Sequence, residues 1–104
     1  MVSRHWKGIA KRDEADHYVA HLQSETLPKL AALPGFIGAS VLRRDVITGI
    51  EFQVVTVWES LKAIEAFAGP DAEVAVVPAV AQAMMVEFES RATHYEVAST
   101  FSVK

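Results

Sequence analysis

Four stretches of the chain carry the alternating or β-branched and aromatic patterns that are typical of β-strands. They predict strands over about residues 3–10, 36–44, 50–58 and 91–97. Asp45 to Gly49 is typical of a hairpin turn between the second and third strands, and Gly49 can adopt a positive φ there. Residues 99–104 also alternate, which predicts a short additional edge strand.

After the first strand, the apolar residues have the spacing of a helix. Apolar residues at positions 15, 18, 19 and 22 form one stripe of an amphipathic helix. Proline cannot continue a helix undisturbed, so Pro28 predicts a break near residues 24–27 and a short further turn through Leu30. Pro34 and Gly35 end this element.

A second helical region follows the third strand. Ser60 can cap a helix whose apolar positions are 61, 64 and 67 and which ends at Gly69. Pro70 suits the start of another short helical piece through Val77. Pro78 suits the start of a third, in which residues 81, 84, 85 and 88 keep helical spacing.

The order of elements is β-α-β-β-α-β, which predicts an α+β, ferredoxin-like fold with helices on one face of an antiparallel sheet. The third strand is apolar on both faces, with Phe52, Val54 and Trp58 on one and Val55 and Val57 on the other. One layer of helices covers one face only. A second copy of the chain is the simplest cover for the other face, so we expect a homodimer.

Composition narrows the class of protein. The chain has 104 residues, which predicts one domain over residues 1–104. Its net charge of −3 argues against nucleic acid as a partner, and the absence of cysteine excludes disulfides and thiolate chemistry. The N-terminus lacks an apolar signal segment, and residues 74–81 are too few to span a bilayer. We therefore expect a cytoplasmic protein with no membrane partner.

Four short motifs resemble those of the antibiotic biosynthesis monooxygenase family. They are Pro34-Gly35-Phe36, Trp58-Glu59-Ser60, Phe67-Ala68-Gly69 and the final strand motif from Thr93 to Val97. The resemblance extends from about Arg4 to Val97 and implies a dimeric α+β barrel. Some members of this family oxidise quinol-like polyketides with dioxygen and no cofactor, whereas others bind and degrade haem.

Trp58 matches the resembling polyketide oxygenases, but the chain departs from both kinds of member at their other functional positions. Where the resembling polyketide oxygenases place Asn, Tyr and Arg, this chain has Val54, Ile64 and Pro78. Where the haem degraders place a second Trp and a His ligand, it has Phe67 and Val77. The resemblance therefore disfavours haem degradation and implies a protein without a cofactor.

Two residues are the candidates for catalysis. The indole N–H of Trp58 can hydrogen-bond a substrate carbonyl, although a large aromatic at a strand end commonly fills the core. His94 in the last strand can accept a proton near neutral pH, although it can equally be a satisfied histidine at the dimer interface.

The candidate substrate-binding residues are aromatic: Trp6, Phe52, Phe67 and Tyr95. His17 and His21 have the i, i+4 spacing of a metal-binding pair, but they fall off the apolar stripe among acidic residues. A solvated helix face is therefore favoured there, and no metal site is predicted.

The sequence thus supports two functional hypotheses. The first is a cofactor-independent monooxygenase-like protein that oxidises a small aromatic or quinol-type compound in a pocket between sheet and helices. In it, Trp58 and Tyr95 orient the substrate and His94 accepts a proton. The second is a non-catalytic dimeric module of the same fold that binds a small apolar ligand or has a structural role.

Overall fold

The computed structural model describes residues 1–103, and its strands form one antiparallel sheet. The strands are β1 (Val2–Ala10), β2 (Phe36–Val46), β3 (Gly49–Trp58), β4 (Met85–Phe88) and β5 (Thr93–Glu96). The sheet order is β2-β3-β1-β4, and β5 also pairs with β1. The helices α1 (Ala15–His21), α2 (Leu27–Ala31), α3 (Leu61–Ala68) and α4 (Ala79–Gln82) complete the fold. The predicted ferredoxin-like α+β fold is confirmed.

The first helical region is continuous rather than broken. A π-helical turn over Leu22–Thr26 joins α1 to α2, and Pro28 lies in the first turn of α2. A proline ring clashes with the carbonyl four residues earlier, and the wider π turn accommodates the ring without ending the helix. The predicted break at residues 24–27 is therefore wrong, because the helix continues through this segment. Pro28 does, however, disturb regular α-helical geometry at the predicted place.

The region after Gly69 differs from the prediction. Ser60 caps α3 as expected, since its hydroxyl accepts from the backbone N–H of Ala63 at 3.2 Å, and Gly69 ends the helix with φ 91°. The helical piece predicted after Pro70 is absent. The backbone carbonyls of Ala72 and Val74 instead accept hydrogen bonds from the side chain of Arg4, so they serve a tertiary contact.

The third predicted helix is also corrected. Only Ala79–Gln82 is helical, and Met85–Phe88 forms β4 along β1 between Gly8 and Ala10. The N-terminal part of β1 pairs with β5, with His94 opposite Arg4. The backbone groups of β1 need partners along their whole length, and this requirement outweighs the helical spacing of residues 81–88. Residues 97–103 form no strand, and Lys104 lies outside the described residues.

A bulge in β2 changes which residues of that strand share a face. Phe36 pairs with Trp58 and Gly38 with Val57, so Ile37 is the extra residue. Beyond the bulge Val41 pairs with Val54. Phe36 and Val41 both pack against the core, whereas an uninterrupted strand would put residues five apart on opposite faces.

All the core clusters lie on one face of the sheet, beneath the helices. One cluster contains Tyr18, Leu22 and Phe52, and the other contains Trp58 and Ile64. Val55 and Val57 on the opposite face stay only partly buried in the single chain. None of the helices between residues 1 and 103 has the length and apolar character needed to cross a bilayer.

Candidate functional site

A cavity of about 70 Å³ lies between the sheet and the helices. Its apolar walls come from β1, β3, the helices and the segment after α3, and they include Trp6, Leu22, Val54, Phe67, Val77 and Pro78. The predicted location of the pocket, between sheet and helices, agrees with this cavity. We call it the inner chamber.

A wider basin of about 720 Å³ adjoins the inner chamber. The two share six lining residues, namely His21, Thr26, Leu30, Phe67, Val76 and Pro78. Lys29 and Glu25 also border the basin. Because the inner chamber is smaller than common ligand pockets, a ring-sized ligand needs both spaces, with one end in the chamber and the remainder in the basin.

Arg4 provides a buried cation on the wall of the inner chamber. It lies on the helix-side face of β1, and only 5% of its surface is exposed. Its Nη1 donates to the carbonyl of Ala72 and bonds His94 Nε2 at 2.8 Å, and its Nη2 donates to the carbonyl of Val74 at 2.9 Å. Burial lowers the pKa of this guanidinium, and the carboxylate of Glu73 acts against that shift. The guanidinium also lies 5.6 Å from the ring centroid of Phe67.

Tyr18 provides a second polar group on the same wall. Its ring packs edge-on against Phe52, with centroids 4.9 Å apart, and only 3% of the residue is exposed. Burial raises the pKa of its phenol, so the hydroxyl stays protonated and can donate a hydrogen bond. The sequence pattern showed Tyr18 only as part of an apolar stripe.

His21 is partly buried and lines both the inner chamber and the basin, so it lies at the edge of the cleft, whereas the sequence favoured a solvated helix face. Its Nε2 lies 3.4 Å from the hydroxyl of Thr26, which the π-helical turn places beside it. His17 is exposed, with Nδ1 3.5 Å from a carboxylate oxygen of Glu14. Among residues 1–103 no group of three or more His, Cys, Asp or Glu side chains is placed to hold a metal ion.

His94 contacts Arg4 rather than the chamber. An arginine has only hydrogen-bond donors, so His94 Nε2 must be the acceptor in the 2.8 Å contact, and the neutral ring carries its proton on Nδ1. Burial and the charge of Arg4 lower the pKa of His94, against a smaller opposing effect of Glu73. The basic nitrogen of His94 is therefore already engaged, and the structure does not place it to accept a proton from a bound molecule.

The lowered pKa of His94 predicts a pH dependence of stability. The unfolded chain binds the proton more readily than the folded chain, so the free energy of unfolding falls as pH drops through the ordinary histidine pKa of about 6.5. We expect His94→Gln, which keeps an acceptor for Arg4, to flatten this decline in urea titrations between about pH 7.5 and 5.5. His17→Gln is the exposed control. An unchanged decline in His94→Gln would contradict the assignment.

Trp58 and Phe52 are both 0% exposed, and neither lines the inner chamber. The Trp58 indole N–H donates to the hydroxyl of Thr56 at 2.9 Å. Its ring packs edge-on against Phe36 at 5.1 Å and stacks on Phe67 at 6.0 Å, measured between centroids. The structure places Trp58 as a core residue and leaves its N–H unavailable to a substrate carbonyl.

Trp6 and Phe67 do line the chamber, whereas Tyr95 does not. Tyr95 pairs with Ser3 on the opposite face of the sheet and contacts the ring of His5, with centroids 4.9 Å apart. The fold therefore brings together two of the six residues singled out in the sequence, Trp6 and Phe67, and joins to them Arg4, Tyr18 and His21.

Comparisons with known proteins agree with this architecture. The family model described as antibiotic biosynthesis monooxygenase matches residues 1–79. The structure is similar to that of a candidate antibiotic biosynthesis monooxygenase from Bacillus cereus, with a TM-score of 0.70 and 20% identity over 100% of this chain and 97% of that one. No curated protein matches the chain.

Two further solved structures show the same fold. One is a monooxygenase from Streptomyces coelicolor in complex with nanaomycin D, with a TM-score of 0.62 and 15% identity over 99% of this chain and 92% of that one. The other is a heme-degrading protein from Mycobacterium tuberculosis in a heme-free form, with a TM-score of 0.59 and 24% identity over 98% of this chain and 100% of that one.

The inner chamber does not match the haem site of the resembling haem degraders. Val77 occupies the position of the His ligand in the resembling haem degraders, and it lies on the chamber wall as an aliphatic side chain without a ligating atom. The inner chamber, at about 70 Å³, is also far smaller than the volume that a porphyrin needs. The inner chamber alone is therefore too small for a haem and lacks the histidine that the resembling haem degraders carry at this position; the histidine that does line it, His21, comes from the first helical region, and the adjoining basin holds about 720 Å³.

Proposed function

The chain belongs to the antibiotic biosynthesis monooxygenase family, and on that premise we propose that it oxidises a small aromatic or quinol-type compound with dioxygen and without a cofactor. The observation that carries the proposal is the apolar cleft beneath the helices, with Trp6 and Phe67 in its walls and His21 at the junction of chamber and basin. Aromatic walls orient a planar ring, and apolar walls exclude water from it.

This oxidation requires few functional groups from the protein. With an anthrone as the example, the ring CH₂ loses two hydrogens, one oxygen atom of O₂ becomes the new carbonyl oxygen, and the other leaves as water. The substrate supplies the electrons once a base has removed its proton. We assign that base to His21, because the geometry of His94 leaves its acceptor nitrogen bonded to Arg4.

An oxygen electrode tests the proposal with a panel of hydroquinones and anthrones. We expect the purified chain to accelerate oxygen uptake above the uncatalysed rate for at least one compound, with one quinone formed per O₂ consumed from an anthrone. If no compound of the panel shows accelerated oxygen uptake at any concentration, the proposed oxidation is wrong and only a binding role is left.

A second function is favoured by one specific observation. Val54 and Pro78 stand where the resembling oxygenases carry polar groups, and both line the inner chamber with aliphatic atoms. A non-catalytic module that binds a small apolar ligand does not need polar groups at these two positions. Native mass spectrometry of the purified protein separates the two functions, because a retained, chemically unchanged ligand together with no oxygen uptake supports the binding module.

We also propose that two copies associate through the sheet face that the helices leave open. Val55 and Val57 are only partly buried on this face, and Leu42 beside them is 51% exposed. An apolar face of this kind is typical of an interface. The family resemblance implies the same assembly.

Light scattering at micromolar concentration is expected to give a particle of two chains. Leu42→Lys introduces a charge at the open face and should shift the particle toward one chain. Ile47→Lys is the matched control, because Ile47 is fully exposed in the β2–β3 turn and should leave the dimer intact. A wild-type particle of one chain, or identical behaviour of the two variants, would contradict the proposed interface.

A further inference from the structure

We propose that the cleft selects an aromatic compound that carries a carboxylate, and that Arg4 and Tyr18 bind this carboxylate in the inner chamber. The inference rests on the proposed function only in taking the cleft as the site of an aromatic ligand, and it holds whether or not that ligand is oxidised. It names a ligand class that neither the aromatic walls nor the family membership specifies.

The first support is a buried cation without a carboxylate partner. Arg4 is 5% exposed, and none of the carboxylates in residues 1–103 lies within 4.0 Å of its guanidinium nitrogens. Its hydrogen-bond partners are two backbone carbonyls and the neutral ring of His94, and the Glu73 carboxylate acts on its charge only from beyond 4.0 Å. A buried charge is normally paired, since removal from water is costly, so an anionic ligand would complete the site.

The second support is the set of donors that Arg4 leaves free. A guanidinium has five N–H groups, of which Nη1 directs two and Nη2 one at protein acceptors. Within the described residues Nε and the remaining Nη2 hydrogen have no protein acceptor. Each of these two free N–H groups can donate to a carboxylate oxygen in a charge-assisted hydrogen bond.

The third support is the hydroxyl of Tyr18. It makes no hydrogen bond within residues 1–103, yet the described residues contain no side-chain polar atom that is both sealed from solvent and without a partner. The hydroxyl therefore reaches open space, and the open space that Tyr18 borders is the inner chamber. It is a protonated donor in the lining of the same chamber as the Arg4 cation, and it can donate to an anionic acceptor but makes no hydrogen bond to an apolar group.

The shape of the cleft separates the acidic end of the ligand from its ring. The chamber of about 70 Å³ has room for a carboxylate at Arg4 and Tyr18. The basin of about 720 Å³, bordered by Leu33, Phe67 and Val80, has room for an aromatic ring. An alternative is that Arg4 only anchors the segment that contains Ala72 and Val74, in which case the charge of a ligand would not matter.

Isothermal titration calorimetry with two probes of the same shape distinguishes these alternatives. The probes are 2-naphthoate and its neutral carboxamide, 2-naphthamide, at pH 7. We expect wild-type protein to bind the carboxylate at least about tenfold more tightly, which is the lower range for a charge-assisted hydrogen-bonded pair. Equal affinities would overturn the inference and leave the aromatic cleft intact. If neither probe binds, the cleft itself is not an aromatic site and both proposals fall.

Two variants test whether Arg4 and Tyr18 cause the preference for the carboxylate probe. Arg4→Met is expected to abolish the preference for the carboxylate while leaving 2-naphthamide binding within about twofold, and Tyr18→Phe to reduce it several-fold. Arg12→Met is the matched control, because Arg12 pairs with Asp45 on the surface. If Arg4→Met does not fold, Tyr18→Phe and the wild-type comparison still decide the matter. A preference that persists in folded Arg4→Met, or in Tyr18→Phe at full strength, would overturn the assignment.

Discussion

Trp58→Ala is expected to lower the free energy of unfolding by about 3–5 kcal/mol, the range found when a buried aromatic residue is truncated. Trp58 is 0% exposed and packs between Phe36 and Phe67 at the end of β3. Its removal leaves a cavity between β3 and α3 and takes away the donor to the buried hydroxyl of Thr56. Urea denaturation followed by circular dichroism measures the loss.

A second variant separates packing from hydrogen bonding. Trp58→Phe keeps much of the ring packing but leaves the Thr56 hydroxyl without its donor, at a cost of about 1–3 kcal/mol. Adding Thr56→Val to Trp58→Phe should recover part of that loss, because both polar partners are then gone. If Trp58→Ala were as stable as wild type and only oxygen uptake were lost, Trp58 would be a catalytic residue after all.

The sequence was sufficient for the features that depend on neighbouring residues. The cap at Ser60, the end of α3 at Gly69 and the β2–β3 hairpin each rest on a few adjacent residues, and each is present. The ferredoxin-like order followed from them. Of the helix predicted over residues 78–88 only Ala79–Gln82 is present, because the free edge of β1 recruits Met85–Phe88 as β4, and that partner is distant in the chain.

The site depended more on tertiary contacts than the fold did. Alternation along β1 places Arg4 on the face of Trp6 and Gly8, and this signal could have identified Arg4 as a buried cation. The pairing of His94 opposite Arg4 joins residues at opposite ends of the chain, so no local pattern reveals it. The placement of Thr26 beside His21 arises from the π-helical turn, which the spacing of apolar residues does not encode.

His21→Ala is expected to lower kcat by about a hundredfold or more for any compound that the chain oxidises, since a positioned general base contributes roughly 10²–10⁴-fold. Only His21 among the four histidines lines the inner chamber. The rate measurement is initial oxygen uptake at saturating substrate. His17→Ala is the matched control on the same helix, because His17 is exposed and borders neither chamber nor basin.

His94→Ala, which removes the acceptor for Arg4, separates a base from a positioning residue. His94 acts on a ligand only through Arg4, whose Nη1 it holds at 2.8 Å, so its replacement should raise KM and leave kcat within a few-fold of wild type. A base would show the reverse, with kcat lost and KM nearly unchanged. If His94→Ala abolished kcat while His21→Ala retained it, the proton would pass to His94 despite its bond to Arg4. The Arg4–His94 contact would then have to open during turnover.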